Sequence, residues 1–216
     1  PPRSTLFPYT TLFRSGLACG WWFLENPKNG GSVPGAIDNL TSSCIAVEMA
    51  RILKNNPEYI PSNTEIRCCS WGAEEANMKG SWAYARTHLA ELREKNVVVI
   101  NMESICDSEI TILSSDNNGF TKNSTDLVKQ VDMAATIAGV EHKVEPFPWG
   151  GGGTDAYGFS RYGLNAISLF SLKVPEQMVD FYHQSTDNYD KVNQVAVQNV
   201  IRIILQFLQE FNSQKK

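Results

Sequence analysis

Four short stretches of this chain place chemically competent side chains where apolar runs give way to loops. They are PGAIDNLTSS with Asp38, WGAEEANMKGS with Glu74 and Glu75, NMES with Glu103, and FYHQSTDNYDKV with His183. Taken singly, each has an ordinary structural use. A lone acid at such a point caps a helix, and adjacent acids in a first turn favour the helix dipole. One histidine near a C-terminal helix is normally surface or satisfied core. Together they offer more. Two divalent ions ~3.5–4 Å apart need a bridging carboxylate, with nitrogen or oxygen ligands on each side. Zinc takes imidazole and carboxylate readily and keeps a position open for water. A further carboxylate must stand beside that water as general base. Successive side chains at a strand-to-helix turn diverge, so one member of the Glu74-Glu75 pair can reach a metal while the other flanks the water.

Such groups need a frame, and the hydrophobic pattern supplies one. TSSCIAVEMARILKN sets Ile45, Met49 and Ile52 about a turn apart with Thr41 as cap, which predicts a helix. TEIRCCSW predicts a strand, KGSWAYARTHLAELREK a helix, and NVVVINMESI a strand covered on both faces. EITILSS predicts a strand, STDLVKQVDMAATIAG a helix closed by Gly139, NAISLFSL a strand, and NQVAVQNVIRIILQFLQEF a long amphipathic last helix. This alternation predicts one α/β domain, a three-layer α/β/α sandwich around a mixed, mostly parallel sheet. In such folds chemistry gathers beyond the carboxyl ends of the strands.

The first fifteen residues, PPRSTLFPYTTLFRS, follow no such pattern and translate one reading frame of a sequencing-adapter oligonucleotide. Residues 1–15 are therefore read as non-native and residues 16–216 as a single domain whose initial strands are lost. That loss is expected to leave an unpaired sheet edge with exposed apolar surface. The whole chain carries 19 Lys and Arg against 23 Asp and Glu, a formal charge of −4. Setting aside Arg3 and Arg14 makes the remainder more acidic still, which argues against nucleic acid or an anionic membrane as partner. No apolar run approaches the ~20 residues that span a bilayer. The five cysteines form no C-x-x-C pair, and vicinal Cys68 and Cys69 are read as small buried thiols in a strand. Reduced cysteines favour a cytoplasmic protein, with export left open because the region ahead of Gly16 is absent.

In PGAIDNLTSS, IRCCSWGAEEANMKGS, VVVINMES, GGGGTDAYGFSRYGLNAISL and YHQSTDNYDKV, taken in this order, the sequence resembles the zinc-dependent exopeptidases. That family includes bacterial di-zinc aminopeptidases, glutamate carboxypeptidase and the metal-free ectodomain of transferrin receptor. The resemblance runs from about Pro34 to the last helix. It implies a peptide substrate and two zinc ions bridged by Asp38, with Glu74 as general base. Glu75 and His183 would ligate the second metal, and Tyr182 would hydrogen-bond the developing oxyanion. Glu103 would ligate the first metal from a position where the family usually has Asp. Asp155, in TDAYGF, would brace the site.

One departure matters. The family's remaining ligand is a histidine in a His-x-Asp motif ten to twenty residues ahead of the bridging Asp, and ACGWWFLENPKNGGSVPG contains none. His88 is expected on a solvated helix face and His142 on a polar strand edge, so neither substitutes. The second metal site is thus expected to be complete and the first to lack its imidazole, so that one zinc binds better than two and catalysis is poor. The resemblance implies an aminopeptidase. Alternatives within the fold are a carboxypeptidase or dipeptidase, or the single-zinc glutaminyl cyclase. A metal-free binding protein is the alternative outside enzymology. The glycine run 150–153 lacks the Lys-Ser/Thr tail of a phosphate cradle. It is expected to line the substrate pocket, with Trp149 and Tyr157 shaping side-chain preference.

Overall fold

A computed structural model describes residues 33–148, 152–174 and 176–213. The adapter-like stretch 1–15, most of the histidine-free window and Trp149 lie outside the described residues. In chain order the strands are β1 (Val98–Glu103), β2 (Ile110–Leu113), the short antiparallel pair β3 (Ser115–Asp116) and β4 (Thr121–Lys122), β5 (His142–Glu145) and β6 (Asn165–Phe170). The central sheet has the order β1-β6-β2-β5. β1 runs parallel to β6, β2 runs parallel to β5, and only the β2–β6 junction is antiparallel.

The helices are α1 (Thr41–Asn55), α2 (Lys79–Thr87), α3 (Leu89–Glu94), α4 (Thr125–Ile137), α5 (Tyr157–Ser160), α6 (Glu176–Asp180) and α7 (Gln194–Ser213). They cover both faces of the sheet, giving the expected three layers. Alternation along β6 divides the core: Ile167 and Leu169 pack with Ile45 and Met49 of α1, Val131 of α4 and Ile203 and Phe207 of α7. Ala166 points the other way, to Ala85, Leu92 and Phe159. β2 is buried along its whole length, as a central strand should be.

Several expectations are corrected. Residues 64–71, expected as a strand, join no ladder among the described residues. A cleft of about 940 Å³ is lined both by this segment and by residues 97–102, so open space lies where a ladder would form. For the same reason Cys68 and Cys69 are exposed rather than buried thiols. β1 is half-buried except at Glu103, not covered on both faces, because among the described residues it pairs with β6 alone. Thr41 does not cap α1; it is the first helical residue, and its hydroxyl donates back to the Ala36 carbonyl at 2.6 Å. The helix expected across residues 79–95 breaks at His88, where φ and ψ leave the helical region.

Candidate metal centre

Asp38 lies in a wide helical turn, Ala36–Leu40, that leads into α1. Its own φ and ψ (−114°, 85°) and those of Asn39 (−140°, 38°) are non-helical, and the peptide between them is cis. Glu74 and Glu75 occupy the turn ahead of α2, where the Met78 N–H donates to the Glu74 carbonyl at 2.6 Å. Glu103 ends β1 at the carboxyl edge of the sheet. His183 follows α6. Ala73, Ser104 and His183 all have positive φ, a conformation that costs a non-glycine residue about 1–3 kcal/mol. Each either carries a candidate side chain or adjoins one.

Three of the candidate ligands touch. His183 Nε2 stands 2.8 Å from Asp38 Oδ2 and 2.9 Å from Glu75 Oε1. One ligand atom from each of the three lies within 4.8 Å of the others. Two donors on a tetrahedral zinc with bonds of ~2.0–2.1 Å sit about 3.3 Å apart, so this nitrogen and these oxygens need part only slightly to admit an ion. The donor set, one imidazole and two carboxylates, suits zinc.

The electrostatics follow from crowding acids in a partly dry place. Burial, and next the charge of Glu75, push the Glu74 carboxyl up to about 8; Asp155 and Asp38 add to this. Burial also raises Asp38 and Asp155, and raises the wholly buried Glu103 well above the carboxylate range. Glu75 goes down instead, because His183 hydrogen-bonds to it. Burial alone would lower His183, but the bonds to Asp38 and Glu75 outweigh it and lift the imidazole to about 9. Tyr182 stacks on the His183 ring, centroids 3.9 Å apart, and burial among these carboxylates keeps its hydroxyl protonated.

Glu103 contributes differently. It does not join the three touching ligands; it shares a small recess with Glu74 and Tyr182, and its Oε2 is buried with no hydrogen-bond partner among the described residues. Such an orphaned acceptor is costly unless a cation or proton meets it. Asp155 is buried near Ser81, whose hydroxyl donates to the Met78 carbonyl at 3.1 Å, and its Oδ1 is likewise unpartnered among the described residues. His142 bonds the Val140 carbonyl and Asp132, and His88 bonds Glu91, so both are engaged elsewhere. Tyr157 lies under the Arg161 guanidinium at 5.1 Å and lines neither the recess nor the cleft.

The family model described as Peptidase family M28 matches residues 24–208. The chain belongs to peptidase family M28. Among M28 relatives, aminopeptidase YwaD of Bacillus subtilis (strain 168) is 24% identical over 174 residues, which is 76% of this chain but 35% of that protein. The solved structure of BSAP, a zinc aminopeptidase from Bacillus subtilis, superposes with a TM-score of 0.66 at 26% identity, covering 83% of this chain and 44% of that one. This M28 chain therefore spans less than half the length of these relatives. A glutaminyl cyclase from an Acidobacteriales bacterium shares the fold, with a TM-score of 0.54 at 14% identity over 79% of this chain and 59% of that one.

Two buried acids beside the candidate centre escaped the sequence reading. Asp187 is fully buried and accepts from the Ile37 N–H at 2.8 Å and the Asp38 N–H at 3.1 Å. Asp116, also buried, accepts from the Thr154 N–H at 2.9 Å and its hydroxyl at 2.6 Å, next to Asp155. Asp187 lies within the quoted FYHQSTDNYDKV, but nothing in that stretch marks it as more than a loop acid. Nothing in SSDNNG marks Asp116 as more than a turn acid.

Proposed function

We propose that this chain is the metal-holding portion of an exopeptidase that cleaves a terminal peptide bond, acting as an aminopeptidase. The observation that carries this reading is His183 Nε2 set between Asp38 and Glu75, with the Glu74 carboxyl beside them. In this reading Asp38, Glu75 and His183 hold one zinc ion at the second site, and Asp38 with Glu103 forms the imidazole-poor first site. Bound zinc lowers the pKa of a water molecule towards ~7 and polarises the scissile carbonyl.

The protein's own groups do the rest. Glu74 takes a proton from the attacking water and returns it to the leaving amine, serving as base and then acid. Its carboxyl, raised to about 8 without metal, falls when a cation is present, which brings it near the pH at which such a base works best. The protonated Tyr182 hydroxyl donates to the oxyanion that develops on the scissile carbonyl. Glu103 and Asp155, acids with buried unpartnered oxygens, suit a free α-amino group at the substrate terminus.

The test is Glu74→Gln, which keeps size and removes the base. Zinc content is expected to be unchanged and turnover of aminoacyl chromogenic substrates to fall by at least ~10²-fold. Near-normal turnover would remove Glu74 from the mechanism. The single complete Asp-Glu-His set also favours a second reading, a one-zinc cyclase acting on N-terminal glutamine. Chelator-sensitive release of ammonia from a glutaminyl peptide, with no amino acid released, would select it.

A further inference from the structure

We infer that Asp187 is a positioning residue that aligns Asp38 with His183 for metal binding. The inference rests on reading Asp38, Glu75 and His183 as a metal site. The two loops involved are distant in sequence: Ile37 and Asp187 are 150 residues apart. Something must fix their relative position to a few tenths of an ångström if donors on both are to share one ion.

The wide turn around Asp38 cannot do this alone. Because Asp38 and Asn39 leave helical φ and ψ, the local hydrogen-bond ladder is interrupted there. Three successive N–H groups of that turn end on one residue instead. Ala36 donates to the Asp187 carbonyl at 3.2 Å, Ile37 to Oδ1 at 2.8 Å and Asp38 to Oδ2 at 3.1 Å. On its other side Asp187 is tied to the loop bearing His183. Its N–H donates to the Gln184 carbonyl at 3.0 Å, and the Gln184 N–H donates to the Phe181 carbonyl at 2.9 Å. Asp187 thus joins both halves of the site through short backbone bonds, and it is wholly buried, so water does not compete for them. Both carboxylate oxygens are in use as acceptors, and Asp187 is not in the cluster of Asp38, Glu75 and His183. Asparagine has the same shape but one acceptor oxygen; its NH₂ would meet a backbone N–H donor to donor.

The experiment compares the full chain with Asp187→Asn and, as an exposed control of equal charge change, Asp190→Asn. Zinc affinity is measured by competition with a chromophoric chelator, and ligand geometry by the visible spectrum of the cobalt(II)-substituted protein. Asp187→Asn is expected to weaken zinc ~10–100-fold, as losses of outer partners to metal ligands do, and to change the cobalt bands. Asp190→Asn is expected to stay within about twofold of the parent. In the metal-free parent, the Ile37 and Asp38 amides are expected to resist hydrogen exchange and to lose that protection in Asp187→Asn. An unchanged zinc affinity and cobalt spectrum in Asp187→Asn would overturn the inference. So would rapid exchange of those two amides in the parent, a measurement that needs no variant to fold. Protected amides in a parent chain that takes up no zinc would instead overturn the metal-site reading.

Discussion

At the scale of single residues, the centre is a cluster of acids organised around one imidazole. His183 carries the proton that keeps Asp38 and Glu75 together, so zinc must displace that proton to bind. Zinc affinity is therefore expected to rise about tenfold per pH unit at acid and neutral pH and to level off above about 9, as titration with a chelator at several pH values would show. The same groups govern stability without metal. His183 and Glu74 both have folded-state pKa values raised above their ordinary ones, to about 9 and about 8. A raised value means the stabilisation is complete below the unfolded pKa and is lost as pH climbs through the folded one. The metal-free chain is expected to melt lower at pH 9 than at pH 6, and zinc should narrow that gap, which calorimetry with and without chelator measures. Replacing His183 by Ala removes the imidazole donor and should cost zinc affinity more than the ~10–100-fold of an outer-partner loss.

At the scale of elements, the turn carrying Glu74 and Glu75 is held by how closely α2 packs. A Cβ on Gly80, at the start of α2, would collide with the Gly72 carbonyl. Backbone cannot swing aside as a flexible side chain can. Gly80→Ala is expected to destabilise the fold by about 1–3 kcal/mol in chemical denaturation and to weaken zinc by displacing Glu75. The segment around Asp155 depends on Asp116 in the same way. Asp116 accepts from Thr154 twice and from the Asn117 N–H at 2.6 Å, and Thr154 passes the network on to Ser168 of β6. Asp116→Ala leaves those donors unpaired in a dry place, at an expected cost of about 1–3 kcal/mol in the same assay.

At the scale of the whole molecule, the large cleft dominates. Its walls include Val98, Ile100 and Met102 of β1, Met49 and Leu53 of α1, and Phe207 and Phe211 of α7. It reaches Glu74 and Glu75 at one end, and Glu74 also lines the small apolar recess, so the candidate centre sits between the two. An apolar space of that size beside a strand whose outer edge is unpaired among the described residues is adhesive. The chain is expected to enhance the fluorescence of an apolar dye and to associate as concentration rises. Sedimentation showing a monomer at high concentration with no dye binding would contradict this.

The chemistry-bearing stretches, the helices and the three-layer class were legible in the sequence, because local periodicity records which face of an element is buried. α1, α4 and α7 follow their apolar spacing, and Gly139, with φ of +62°, follows α4 as its type suggested. The segment at residues 64–71 shows where that stops. Its residues suit a strand, but a strand exists only if a neighbour offers a ladder, and that is settled by distant chain. The same holds for the acids. Nothing local separates Asp187 or Asp116, buried acceptors for remote N–H groups, from a turn acid in water. Composition and pattern determined that this chain has acids and an imidazole at the ends of its elements. Only tertiary structure decided that Asp38, Glu75 and His183 meet, because hydrogen-bond and metal geometry act through space between residues the chain itself keeps far apart.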